Sequence, residues 1–132
     1  MSPRLFRILS SLSCIVGVIM LGTSFAINPG PPSDATNAQL IVFRNHYFTS
    51  ILWGTWLQAV GALLIVVFAF AIVSLAGATA RFAGWLTMFG GTILTMVSLV
   101  ETAFYLSALF SEPATMGLIS LALIHAVQHL YF

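Results

Sequence analysis

The chain has 132 residues, of which 60% are apolar and 5% charged; its four basic residues are all arginine, and the formal net charge is +1. A soluble domain carries about 25% charged residues, so this chain cannot cover its own surface with polar groups and reads as an integral membrane protein. The same scarcity of charge excludes a nucleic-acid-binding surface, which needs clustered Lys and Arg, and the single cysteine, Cys14, excludes an intramolecular disulfide or a thiolate metal cage.

A hydrocarbon core about 30 Å thick takes about 20 helical residues to cross, and four apolar runs reach that length. The first, 8–27, follows Arg4 and Arg7. Ser24-Phe25-Ala26 near its end has the small-x-small form of a signal-peptide cleavage site, but a run this long, in a chain with further spans, favours a retained first helix. Cys14 inside it reads as a small packing residue. Residues 28–39 hold three of the five prolines with Gly, Asn, Ser and Asp, a composition that breaks helices. Residues 40–50 mix apolar side chains with Arg44, Asn45 and His46 and read as an interfacial lead-in to the second span, either within an outer loop 28–50 or continuous with that span. The second span is 51–75, the five-residue turn 77–81 leads to the third span, 82–110, and Pro113 sits near the first turn of the fourth, 114–132. The fold class expected is all-α, a single transmembrane domain of four antiparallel helices.

Arg4, Arg7 and Arg81 fall on one side of this arrangement and Arg44 on the other, which places both termini in the cytoplasm, as for a bacterial inner-membrane protein. So small a bundle exposes much of each helix, so the expected partners, besides the lipid bilayer, are further transmembrane subunits or copies of the same chain. The end at Tyr131-Phe132 has no polar or basic flank and suggests a fragment of a longer protein.

Several short motifs recur in a familiar order: a Pro-rich first loop, Trp56-Leu57-Gln58-Ala59-Val60-Gly61, Ala83-Gly84-Trp85-Leu86, Val100-Glu101 with Phe104-Tyr105, and His125-Ala126-Val127-Gln128-His129. Over residues 40–132 this order resembles an uncharacterised family of bacterial multi-spanning membrane proteins with about six spans. The resemblance implies no activity, and it favours a longer chain.

An ionisable residue inside a span is a functional candidate by default, because a charge at mid-depth costs about 2.5 to 3.5 kcal/mol. Glu101 is the one acid inside a span. It lies about 13 Å from the end of the third, while Gln58 lies about 10 Å into the second and His125 about 18 Å into the fourth. On a helical wheel Glu101 shares its face with Leu94, Ser98, Tyr105 and Ala108, His125 and His129 are one turn apart with Gln128 beside them, and Gln58 shares a side with Gly54 and Gly61. Four readings stay open. A ligand or proton site would use Glu101, Gln58, Tyr105, His125 and Gln128, with Glu101 in its neutral form donating to Gln58 or to a histidine. A divalent metal would take His125, His129 and Glu101 as ligands, and haem would use one of the histidines. Alternatively these side chains only bond one another and fix the packing, as in a structural or assembly subunit. No phosphate loop, Ser-His-Asp set or zinc-protease motif is present, so the reading leans away from an enzyme. His46 beside Arg44, Asn45 and Tyr47 is a further anion-binding candidate, Trp53, Trp56 and Trp85 read as interfacial anchors, and Thr87, Gly91, Thr95, Ser98 and Thr102 read as a helix contact.

Overall fold

The computed structural model describes residues 2–30 and 35–111, which form three helices: α1 (Pro3–Ile27), α2 (Asn37–Leu75) and α3 (Phe82–Phe110). All three are long and apolar enough to cross a membrane. The expected fourth span, with His125, Gln128 and His129, lies outside the described residues.

Local chemistry sets the helix ends. Ser2 caps α1, its hydroxyl accepting the Leu5 N–H at 3.3 Å, and Pro3 occupies the first helical position, where its missing N–H is harmless. After Ile27 the chain leaves the helix at Asn28-Pro29. The outer loop is shorter than 28–50, because residues 37–50 are continuous with the second span in α2, which runs unbroken for 39 residues. A capping box starts it: the Thr36 N–H donates to Gln39 Oε1 at 2.8 Å and the Gln39 N–H to Thr36 Oγ1. The residues that follow contain no proline before Pro113, so nothing interrupts the backbone ladder. At the far end Gly77, with φ +60°, lets the Gly77 N–H reach the Ser74 carbonyl and the Ala78 N–H the Val73 carbonyl. This glycine-terminated stop satisfies the last carbonyls and turns the chain into α3. Gly84 continues the turn, its missing Cβ leaving room for the Ala78 carbonyl oxygen.

α2 is the shared partner: α1 and α3 each pack antiparallel against it and make no close backbone approach to each other. Where α1 crosses α2, a Cβ on Gly17 would stand 2.9 Å from the Gly61 carbonyl oxygen, and one on Gly61 would stand 2.9 Å from the Gly17 oxygen and from Leu21 N. Lipid tails are as apolar as leucine, so such close approach, and not water exclusion, holds helices together in a bilayer. Ser10, Gly17 and Ser24, all buried on α1 and seven residues apart, form this seam, and both serine hydroxyls bond back to their own helix. α3 repeats the spacing with Gly84, Gly91, Ser98 and Tyr105. At Gly91 the neighbours are the Phe70 ring edge at 2.9 Å and Val66 at 3.1 Å. The contact expected along Thr87, Gly91, Thr95, Ser98 and Thr102 is thus made by Gly91 and Ser98. Thr87 is exposed, and Thr87, Thr95 and Thr102 bond back to carbonyls one turn earlier.

The first part of α2 extends past α1 and packs on the end of α3. Ile51, Tyr105, Ala108 and Leu109 are buried there, with Leu40, Phe43, Phe48, Leu52 and Phe104 against them, and Phe48 meets Phe110 edge to face. Arg44 Nη1 donates to the Ser111 carbonyl oxygen at 2.9 Å, placing a cation on the negative end of the α3 dipole.

Candidate functional site

The two helices meet α2 on faces roughly 150° apart on a 100°-per-residue wheel: Gly54 and Gly61 face α1, while Val66 and Phe70 face α3. The wedge left between α1 and α3 is a cavity of about 440 Å³. Leu21, Phe25, Ile65, Leu94 and Val97 give it apolar surfaces, Ala62 lies on its α2 side, and Asn28, Gln58, Ser98, Glu101 and Tyr105 supply its polar groups.

Gln58 Nε2 donates to Glu101 Oε2 at 2.9 Å across the α2–α3 seam. The sequence reading places these two side chains in one layer, and the structure brings them into contact; the amide is the donor, whereas that reading makes Glu101 the donor. Counting depth from residue 51 understates how far Gln58 lies from its helix end. Twenty-one residues separate it from Asn37, about 31 Å of helix. The two residues still share a level, because α3 ends beside the extension of α2. Leu94, Ser98 and Tyr105 line the cavity together with Glu101, as the shared helix face implies, and Tyr105 is 5% exposed.

Two further oxygens belong to the cavity, one on Ser98, which the shared face of Glu101 already names, and one on Asn28, which the sequence reading does not single out. Among the described residues Asn28 Oδ1 and Ser98 Oγ are buried and make no hydrogen bond, a condition that is uncommon because a buried polar atom without a partner costs about 1 to 3 kcal/mol. The backbone of Asn28 closes α1, and its side chain lies over Gly54, where an added Cβ would stand 2.7 Å from Asn28 Cβ. The available signal for Asn28 was slight: it is the first amide after an apolar run. Glu101 Oε1 likewise has no hydrogen bond among the described residues.

A second hollow of about 360 Å³ lies between α1 and α2, but the hydroxyls of Ser10 and Ser13 that line it are bonded to α1 carbonyls, so those groups are already engaged. Arg44 and His46, the anion candidates, have separate partners. Nε and Nη2 of Arg44 are engaged by Asn45 Oδ1 and Nη1 by Ser111, while the His46 ring stands edge-on to Tyr47 at 4.6 Å. For the metal and haem readings, His125 and His129 lie outside the described residues, and among the described residues no three potential ligands come together. Comparison of the chain with protein families, with curated proteins and with solved structures gives no match.

Proposed function

We propose that this protein is a membrane-embedded binding protein whose site is the cavity between α1 and α3, with Glu101 and Gln58 as its polar centre and Tyr105 beside them. The observation that carries this reading is the coincidence, in one apolar cavity, of the intramembrane acid with two buried oxygens that lack partners. Among the described residues α1 and α3 do not approach each other closely, which supports a sideways route into the cavity for a molecule dissolved in the bilayer. Native mass spectrometry of the full chain released from nanodiscs tests it: the wild type should carry a retained small molecule that Ala62→Phe, which fills the cavity, lacks. Identical spectra for the two would sink the reading.

The bond between Gln58 and Glu101 favours a second reading, in which the polar residues serve only to fix packing. Filling the cavity would then stabilise the protein and alter no bound species. In the proposed arrangement exposed Trp53 and Trp56 mark one bilayer face and exposed Trp85 the other. Trp85 and Glu101 are sixteen residues apart, about 24 Å of a 30 Å core, so Glu101 sits about 6 Å beneath the face nearer Arg44. The same proposal includes residues 114–132 as a fourth span, with His125 and Gln128 near the site, both termini in the cytoplasm, and contact with copies of the chain or further subunits. Labelling of Ala35→Cys but not Ala78→Cys from outside, in a Cys14→Ser background, is the expected outcome. Metal analysis and a visible spectrum of the purified chain test the divalent-metal and haem alternatives at His125, His129 and Glu101.

A further inference from the structure

We infer that the ligand of this cavity is a hydrophobic cation, held by the charge of Glu101 in exchange for a proton. This rests on the binding function proposed above and adds the ligand class and the exchange. Glu101 is the one acid among the described residues, and no cation among them lies near it. Arg44 precedes Gln58 by fourteen residues of α2, about 21 Å, and Arg81 precedes Glu101 by twenty residues, about 30 Å. Arg7 is ten residues from Gly17, so about 15 Å of helix separates it even from the point where α1 crosses α2. From the three helices Asn28, Gln58, Ser98 and Tyr105 line the cavity with Glu101, and of these four only Tyr105 titrates; His125 and His129 lie outside the described residues.

A carboxylate in an apolar cavity is costly unless something neutralises it. A proton does so, and so does a cation arriving from the bilayer. When the cation enters, the O–H bond of the Glu101 carboxyl breaks, its electron pair stays on the carboxylate, and the proton leaves for water, so the charge inside the cavity remains zero. Gln58 Nε2 holds Oε2, which leaves Oε1 for the proton or the cation. A single charge contact carries the affinity, so the ligand needs neither an N–H nor a second polar group. Around that contact the surface is hydrocarbon: Leu21, Ile65, Leu94 and Val97 are aliphatic, and Phe25, 66% exposed, offers an aromatic ring, to which cations are attracted. A fatty acid or a phosphate head would instead set like charge against Glu101.

Equilibrium dialysis of radiolabelled tetraphenylphosphonium against nanodiscs, with and without the full-length protein, separates the possibilities. The cation should bind in excess over empty nanodiscs. Dodecyltrimethylammonium, which has the charge but no N–H, should displace it with roughly tenfold higher affinity than dodecanol, which has a hydroxyl but no charge. Glu101→Gln, which can keep its bond to Gln58, should bind tetraphenylphosphonium roughly tenfold more weakly or less, while unfolding like the wild type in a steric trap. As the pH is lowered toward about 4, the wild type should lose affinity and release one proton per cation bound. Glu101→Gln should show neither effect, and both should persist in a His125→Asn, His129→Asn variant.

Equal displacement by dodecanol and dodecyltrimethylammonium, or undiminished binding in Glu101→Gln, would overturn the cation class. An affinity that does not change with pH, or a pH dependence lost in the histidine variant, would overturn the exchange at Glu101. No excess binding of tetraphenylphosphonium, where the wild type still carries a retained molecule that Ala62→Phe lacks, would overturn the cation class and leave the binding reading standing. With no retained molecule either, both fall.

Discussion

The seam between α1 and α2 and the seam between α2 and α3 share a seven-residue spacing of small or buried residues, but they are closed by different means. On the α1 side two glycine backbones face each other at Gly17 and Gly61, and the serines above and below bond to carbonyls of their own helix. On the α3 side Gly91 accommodates a phenylalanine ring, the Ser98 hydroxyl has no partner among the described residues, and the polar contacts are made by long side chains, Gln58 to Glu101 and Arg44 to the Ser111 carbonyl. Backbone contact at Gly17 and Gly61 leaves no space at that crossing, and the hollow farther along the same seam is lined by serines already bonded to α1. Contact through side-chain tips holds the helices while leaving a cavity beside them.

The sharpest way to break this contrast is Gly61→Leu. Its Cβ meets backbone atoms of α1 that cannot step aside, so α1 should fail to dock, seen as loss of the disulfide in a Gly54→Cys, Asn28→Cys pair. The smaller Gly61→Ala should cost about 1 to 3 kcal/mol in a steric-trap unfolding measurement, as overpacking does. Glu101→Leu should destabilise less, by about 0.6 to 1.7 kcal/mol, the range measured for bonds between helices in lipid. A double-mutant cycle with Gln58→Leu should recover most of that as coupling. Arg44→Ala removes a cation from a helix end and should cost about 0.3 to 1 kcal/mol, decreasing with added salt. Gly91→Ala closes the order with the smallest effect. The atoms it meets are a ring edge and a methyl that can yield, so it should stay within about 0.5 kcal/mol of wild type, and a loss equal to that of Gly61→Ala would erase the distinction between the seams.

Much of the site could be read from the sequence because it depends on depth and helical phase. Glu101 and Gln58 are polar exceptions in apolar runs, and a rise of 1.5 Å per residue sets them near one level. What misled was the start of α2. Arg44, Asn45 and His46 break the apolar pattern, so hydropathy ends the span at residue 51, yet Thr36 and Gln39 carry the T-x-x-Q signature of a capping box and start the helix at Asn37. Hydropathy reports the solvent around a segment, and backbone capping reports the helix itself. The seam on α1 was hidden for another reason: serine and glycine seven residues apart show no amphipathic contrast when every side faces lipid. Asn28 enters the cavity only because Gly54 lets it lie across α2, a relation between two helices that neither segment encodes alone.

The separation of α1 from α3 also bears on the order in which the protein is built. Synthesis delivers α1 first and α2 second, and among the described helices the close backbone approach of α1 is to α2, so the glycine-faced hairpin can close while α3 is still inside the ribosome. Gln58 then waits in lipid with its amide unanswered. When α3 emerges, the acid it carries finds that amide already positioned, and a residue that would be costly to insert alone arrives with its partner in place.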